Sequence, residues 1–216
     1  MVAGVIFDMD GVLLDSEQVW NEVKRGLVLD WGGRWIPGAA TEMMGMSSPE
    51  WSAHLKDRMK VDRPAAEIDT EVVGRMQARY AEGLPLLPGA LEAVQRLAEH
   101  WPLGLASSSN RVLIDEALDT AGLSGYFAVT VSSEEVARGK PAPDVYLEAA
   151  RALHIEPTDS VAIEDSGAGL RSAYAAGMRV IALPNPHFPP PPAAVALASV
   201  VLGSIGELTA SVVGGL

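Results

Sequence analysis

Two aspartates near the start of the chain, Asp8 and Asp10, follow an apolar run, residues 2–7, of the length and type of a buried strand. In an extended strand, residues i and i+2 point the same way, so both carboxylates are expected to face one small space beyond the strand's carboxyl end. Close carboxylates repel each other, and the usual relief is a bound cation or a raised pKa. A strand end with two exposed acids is the plain alternative.

Three later stretches place further reactive side chains at or near predicted strand ends: Ser107-Ser108-Ser109-Asn110, Gly139-Lys140-Pro141 and Glu164-Asp165-Ser166-Gly167. Hydroxyls beside free helix N–H groups can bind an anion, although an N-cap cluster has the same composition. The lysine between glycine and proline has a fixed backbone, so its ammonium can be aimed, although a lone lysine is usually solvated. The last stretch adds two acids, for which helix capping is the structural alternative.

Together the four stretches supply the groups that phosphoryl transfer needs. Several carboxylates make a hard-oxygen site suited to Mg²⁺. A lysine, hydroxyls and backbone N–H groups complement a phosphoryl group. One carboxylate can attack phosphorus to form an aspartyl phosphate, and a second can act as acid and then as base.

Composition limits the classes of function. The 216 residues are 48% hydrophobic, and no apolar run is long enough to span a membrane. The start of the chain lacks the basic region of a signal peptide. The absence of cysteine excludes disulfides and thiolate metal sites and suits a cytoplasmic location. The net charge of -12 argues against nucleic-acid and membrane partners, so an anionic substrate would need local positive charge.

Hydrophobic periodicity predicts two kinds of structure along the chain. Residues 15–82 show only helical patterns, and we call them the helical insert. From residue 83 strands and helices alternate, which predicts an α/β fold: a doubly wound, Rossmann-like parallel sheet. The first strand belongs to this core, so the predicted domains are a core of residues 1–14 and 83–216 and an inserted α-helical cap at 15–82. Because ligands bind at the carboxyl ends of such strands, the insert would lie over the site.

The four motifs, in this order and over nearly the whole chain, resemble the haloacid dehalogenase superfamily in its phosphatase branch with a helical cap, especially β-phosphoglucomutase-like proteins. The resemblance implies that Asp8 is the nucleophile and Asp10 the general acid/base. It implies phosphate binding by Ser107, with the hydroxyl of Ser108 beside it, and by Lys140. The resemblance further implies that Mg²⁺ is held by Asp8, the main-chain carbonyl of Asp10 and Asp165, with Glu164 helping directly or through water. Dehalogenating members lack the second aspartate, which favours phosphate chemistry.

Departures from the family pattern bear on the reaction. β-Phosphoglucomutases carry a histidine, a lysine and an arginine in the cap where this chain has Trp20, Met44 and Ser48. We therefore expect a phosphatase acting on a small phosphorylated metabolite; the alternatives are a sugar-phosphate mutase and a catalytically silent phosphate-binding regulator. The candidate substrate contacts in the cap are Trp20, Met44, Gly45, Met46 and Ser47. The expected assembly is a monomer or weak dimer.

Overall fold

The structure, a computed structural model, describes all 216 residues. Six strands and ten α-helices form in the order β1 Gly4–Phe7, α1 Glu17–Asp30, α2 Ala39–Met43, α3 Ser48–Arg58, α4 Ala65–Glu82, α5 Ala90–Ala98, β2 Leu103–Ser107, α6 Arg111–Thr120, β3 Phe127–Ser132, α7 Asp144–Ala152, β4 Ser160–Glu164, α8 Gly167–Ala175, β5 Arg179–Ala182, α9 Pro192–Val195, β6 Val200–Val201 and α10 Ala210–Gly214. None of these helices combines the length and apolar character needed to cross a membrane.

The strands form one parallel sheet in the order β3-β2-β1-β4-β5-β6. The predicted doubly wound α/β fold is therefore confirmed. The first strand lies in the middle of the sheet, between β2 and β4. From β1 the strand order runs to one side through β2 and β3 and to the other side through β4, β5 and β6. A crevice opens at the carboxyl ends of strands where the order reverses in this way. The residues that follow β1, β2 and β4 meet at that crevice.

Strand β1 is buried on both faces of the sheet. Val5 and Phe7 pack into a cluster of 41 buried residues that continues into the helical insert, whereas Ile6 packs into a separate cluster of 15 on the other face. Strands covered on both sides are continuously apolar, as residues 2–7 are. Side chains along β1 alternate between the two faces of the sheet, and this alternation sets the face towards which the residues after the strand point.

The helical insert contains α1, α2, α3 and α4 and no strand of the sheet. Its helices pack mainly on one another, α3 against α4 and α1 against α4. The last strand, β6, has only two residues, Val200 and Val201, at the edge of the sheet. The proline-rich stretch at 184–192 is a loop as far as Pro191, and Pro192 begins α9 because proline is well suited to a first helical position.

Candidate active site

Lys140 lies between two carboxylates at the floor of the crevice. Its Nζ donates hydrogen bonds to Oδ1 of Asp8 at 2.8 Å and to Oε1 of Glu164 at 2.6 Å, and the residue is only 2% exposed. Burial disfavours the ammonium form, but the two negative charges outweigh it and raise the pKa of Lys140 above its ordinary value. The lysine is therefore a fixed positive charge and not a solvated surface side chain.

Asp8 directly follows β1, and its backbone N–H donates to the carbonyl of Ile163 in β4 at 2.9 Å. Burial raises the pKa of Asp8; Lys140 lowers it, and the charges of Glu164 and Asp10 raise it further. A group in this position needs positive charge nearby to remain ionised. Lys140 supplies one such charge, and a cation in the crevice would supply another.

Glu164, the last residue of β4, has both carboxylate oxygens occupied. Oε1 accepts from Lys140 and from the Tyr146 hydroxyl at 2.9 Å. Oε2 accepts from the backbone N–H groups of Asp165 at 3.0 Å and Ser166 at 3.1 Å. A Cβ at Gly169 would lie 1.7 Å from Oε1, so only glycine leaves room for this carboxylate. Both carboxylate oxygens of Glu164 are thus held by protein donors, and the carboxylate keeps the Lys140 ammonium in position.

Asp165 has the opposite environment. Both of its carboxylate oxygens are buried, and neither has a hydrogen-bond partner. Burial raises the pKa of Asp165, and Glu164, Glu17 and Asp8 raise it further. Gly11, with φ at +83°, passes so close that a Cβ there would lie 2.0 Å from Oδ2. Buried carboxylates without partners are rare and costly, so the environment of Asp165 fits a bound cation.

A metal ion fits these donors. One ligand atom from each of Asp8, Glu164 and Asp165 lies within 4.8 Å of the other two. Oxygen donors of this kind suit a hard divalent cation such as Mg²⁺. Because Glu164 is saturated with hydrogen bonds, Asp8 and the unpartnered Asp165 are the side chains available for direct coordination.

Asp10 is held by three donors from two parts of the chain. Oδ1 accepts from the hydroxyl of Ser16 and from Nε1 of Trp20 at 3.1 Å, and Oδ2 accepts from Oγ of Ser109 at 2.6 Å. Trp20 belongs to the helical insert and Ser109 to the core. The orientation of Asp10 therefore depends on both.

The three serines after β2 differ in position. Ser107 is fully buried, and its hydroxyl accepts from the Ser109 backbone N–H at 3.1 Å, so it lies beneath the cavity surface. Ser108 lines the cavity and donates from Oγ to the carbonyl of Gly45 at 2.9 Å. Ser109, which was not among the predicted site residues, also lines the cavity.

A cavity lies over these groups. Its core-side lining is Asp8, Asp10, Ser108, Ser109, Lys140, Asp165 and Ser166. Its lining from the helical insert is Glu17, Trp20, Lys24, Met43, Met44, Gly45, Met46 and Trp51. The structure thus brings the four sequence motifs to one cavity, together with four of the five candidate insert residues.

Ser47, the fifth candidate in the helical insert, does not line the cavity. It is the N-cap of α3, and its backbone N–H and its hydroxyl donate to Oε2 of Glu50 at 2.8 and 2.7 Å. The pattern Ser47-Ser48-Pro49-Glu50 is the sequence signature of a capping box, so this role could have been read from the chain.

Sequence reasoning missed two charged residues on α1, the partly buried Glu17 and the buried Lys24. They share a helix face with Trp20, because residues three, four and seven apart stack on one side of a helix. Burial and Asp10 raise the pKa of Glu17 to about 7, while Lys24 opposes the shift. Burial lowers the pKa of Lys24 to about 8, although Glu17 and Asp10 oppose this. The helical insert therefore offers a cation after all, one turn beyond Trp20.

Lys24 is held by aromatic rings. Its Nζ lies 4.7 Å from the ring centroid of Trp20 and 4.9 Å from that of Trp51, and the residue is 8% exposed. Cation–π contacts of this type stabilise a buried ammonium without a carboxylate in direct contact. Trp51 both packs in the core and lines the cavity.

The chain is similar in sequence to known proteins over most of its length. Residues 2–177 match the model of a family described as haloacid dehalogenase-like hydrolase. Hexitol phosphatase B of Escherichia coli (strain K12) is 36% identical over 216 residues, covering 97% of this chain and 95% of the relative. The bifunctional riboflavin kinase/FMN phosphatase of Arabidopsis thaliana is 32% identical over 183 residues, or 84% of this chain, but the chain spans only about half of that relative, 48%.

A solved structure, the β-phosphoglucomutase of Clostridium difficile, superposes with a TM-score of 0.86 over 100% of this chain and 96% of that one. Its sequence identity is 21%, so this likeness concerns the fold. The family match covers most of the chain, and the hexitol phosphatase matches it over nearly its full length. The chain therefore belongs to the haloacid dehalogenase-like hydrolase family.

Proposed function

We propose that the chain is a Mg²⁺-dependent phosphatase that hydrolyses the phosphate monoester of a small sugar or sugar alcohol through an aspartyl phosphate on Asp8. One observation carries the proposal. Asp8 lies between a buried lysine and a buried carboxylate without partners, at the floor of a cavity. Family membership and the phosphatase names of both curated relatives support it.

Asp8 is the proposed nucleophile. Its Oδ1 accepts from Lys140, which holds the carboxylate in place and offsets its charge. The carboxylate attacks phosphorus, and the bond from phosphorus to the ester oxygen breaks. Asp10 gives its proton to the departing oxygen. Water then attacks the phosphorus of the aspartyl phosphate, Asp10 takes up the water's proton, and inorganic phosphate leaves with Asp8 restored.

The phosphoryl oxygens meet several donors. Lys140 provides its ammonium, and Ser108 lines the cavity beside it. The backbone N–H groups of Met9 and Asp10 make no hydrogen bond with another backbone group, so they are available at the turn after β1. Ser107 is a further proposed phosphate ligand: it lies beneath the cavity surface, and its hydroxyl, which accepts from the Ser109 N–H, still has a proton to donate. Preorganised donors of this type stabilise the charge that develops during transfer.

Mg²⁺ is the proposed metal, with Asp8, Asp165 and the main-chain carbonyl of Asp10 as ligands and Glu164 acting through Lys140 and water. When bound, the ion offsets negative charge on the phosphoryl oxygens. Residues 15–82 are the proposed cap, because they cover the cavity and supply more than half of its lining.

The lining of the insert favours a phosphatase over a mutase. A mutase must hold a second phosphate and exclude water, which requires cationic groups. The one cation here, Lys24, is offset by Glu17 on the same helix face. Such a pair, beside two indole rings, suits hydroxyl groups better than a second dianion. The silent-regulator alternative is disfavoured because every reactive group of the core is present and oriented.

The test is phosphate release by the purified protein with Mg²⁺ from hexitol phosphates, hexose phosphates, phosphoglycolate and FMN, with Asp8→Asn as the control. We expect sugar or sugar-alcohol phosphates to be hydrolysed fastest. Release from none of these esters would refute the proposal. A second assay uses β-glucose 1-phosphate with a trace of the bisphosphate; glucose 6-phosphate forming much faster than free phosphate would establish the mutase instead.

A further inference from the structure

The segment that follows β2, residues 108–110, contacts the helical insert through two of its side chains. Oγ of Ser108 donates a hydrogen bond of 2.9 Å to the carbonyl of Gly45, in the loop between α2 and α3. Nδ2 of Asn110 donates a hydrogen bond of 3.2 Å to Oδ1 of Asp69 in α4. One short segment of the core therefore holds the insert at two separate places.

Gly45 lies tightly against the core. Its φ is +73°, in the left-handed region that favours glycine. A Cβ at this position would lie 2.8 Å from the Cβ of Ala168, at the start of α8, so only glycine fits. The bond from Ser108 is the one hydrogen bond that joins residues 43–47 to the core. The position of this loop therefore depends on Ser108.

The loop that Ser108 holds is part of the active-site wall. Met44, Gly45 and Met46 all line the cavity above the carboxylates and Lys140. A shift of the loop would move these residues together, while the groups at the floor of the cavity would keep their hydrogen bonds within the core. The Ser108 hydroxyl thus fixes the shape of the cavity at a distance from its floor.

The two polar groups of Ser108 have different partners available to them. A hydroxyl has one proton, and that of Ser108 is donated to the Gly45 carbonyl. Phosphoryl oxygens are acceptors, so they would have to compete for it. The backbone N–H of Ser108 makes no hydrogen bond and is free to meet a phosphoryl oxygen. The backbone of Ser108 is suited to phosphate, and its side chain to the helical insert.

We propose that the Ser108 hydroxyl is a positioning group that docks residues 43–47 onto the core, with Asn110 and Asp69 as a second docking contact. By fixing this loop, Ser108 sets how the part of the substrate beyond the phosphate is accepted. Only this kinetic consequence rests on the proposed phosphatase function. The docking role itself can be measured without any substrate.

Hydrogen exchange of the protein without phosphate tests the docking directly. Ser108→Ala should speed exchange in a peptide of residues 40–47 by about fivefold, because the hydrogen bond to the core is lost and the loop opens more often. Exchange in β4 should stay unchanged. Ser211→Ala, at an exposed position of α10, is the matched control. Unchanged exchange in residues 40–47 would refute the docking role, whether or not the protein is a phosphatase.

The second contact is tested in the same way. Asp69→Ala removes the acceptor in α4 and leaves the bond from Ser108 to Gly45 in place. Exchange in α4 should become faster, and Asp57→Ala, at an exposed position of α3, serves as the control. Unchanged exchange in α4 would show that Asn110 and Asp69 do not dock the insert.

Kinetics separates a positioning role from direct contact with phosphate. Ser108→Ala should lower kcat/KM for the best sugar or polyol phosphate by about fivefold or more, mostly through KM. The loss should be clearly smaller for acetyl phosphate, whose leaving group has only two carbons. An equal loss for the two substrates would assign the hydroxyl to the phosphate and refute the positioning role. If neither is hydrolysed, the proposed function fails, and hydrogen exchange still decides the docking role.

Discussion

The indole Nε1 of Trp20 donates a hydrogen bond of 3.1 Å to Oδ1 of Asp10, so a helix of the insert orients an aspartate of the core. Ser109 of the core donates to the other oxygen at 2.6 Å. A general acid must be aimed at the departing oxygen before it can work. The acid/base role proposed for Asp10 therefore requires the insert to be docked.

Trp20→Phe removes this hydrogen bond and keeps an aromatic ring against Lys24. We expect kcat to fall by about tenfold or more, the effect of one hydrogen bond to a charged group. The measurement is steady-state kinetics on the best substrate, with Trp31→Phe at the end of the same helix as the control. An unchanged kcat would show that Asp10 is oriented without Trp20.

Asp8→Asn should abolish turnover and leave the fold intact, because an amide is a poor nucleophile of nearly the same shape. Fluoride complexes of beryllium should bind to the wild type as a mimic of the aspartyl phosphate, and not to this variant; ¹⁹F NMR detects the bound species. Asp62→Asn, at an exposed position, serves as the control. Activity near the wild-type level in Asp8→Asn would place the nucleophile elsewhere.

Lys140→Met should lower the rate by roughly 10²–10³, the effect of one well-placed donor in a buried site. The variant also leaves Asp8 and Glu164 without their shared ammonium, so its thermal stability should fall. Lys56→Met, an exposed lysine of α3, is the control for both measurements. A loss of less than about threefold would show that Lys140 does not have the proposed role in the reaction.

Asp165→Asn should raise the Mg²⁺ concentration for half-maximal activity by at least about tenfold, because the free carboxylate is the one most available to a cation. Chelation should stop the wild-type reaction, and Ca²⁺ should inhibit it through its looser coordination. Asp159→Asn, exposed before β4, is the matched control. Full activity after exhaustive chelation would exclude a metal requirement.

Lys24 should give stability a distinct pH dependence. Its pKa is lowered from 10.5 to about 8 in the folded protein, so the unfolded state binds more protons between these values. The free energy of unfolding should therefore rise as the pH rises from about 8 to about 10.5, by roughly 3 kcal/mol at about 1.4 kcal/mol per pH unit. Denaturant unfolding of wild type and Lys24→Met over this range measures it; parallel curves would show that the lysine is solvated.

Much of the site could be predicted because it depends on strand ends. Asp8, Ser108 and Asp165 follow β1, β2 and β4, and the apolar runs that form these strands are evident in the sequence. Parallel strands bring their carboxyl ends to one edge, so residues far apart in the chain meet there. Lys140 could be assigned to the site only because the other three motifs occur in the same chain. One lysine between glycine and proline does not show which carboxylates it will contact.

The contributions of the helical insert were harder to predict, because they depend on how its helices pack. Lys24 is polar, and on an amphipathic helix such a residue is normally assigned to the solvent side. Only the docked helix shows that it shares the buried face with Trp20. The role of Glu164 could not be predicted for a different reason. Its oxygens accept hydrogen bonds from neighbouring backbone N–H groups and from Tyr146, and these contacts depend on the shape of the turn after β4.

The lining of the active-site cavity divides by origin. The aspartates, the serines and Lys140 come from the core, whereas the tryptophans, the methionines and Lys24 come from the insert. Apart from Trp20, which orients Asp10, the side chains that the insert contributes to this lining can therefore be substituted with the hydrogen bonds of the core's carboxylates intact. Such a fold can acquire new substrates by drift in one segment, without passing through an inactive ancestor.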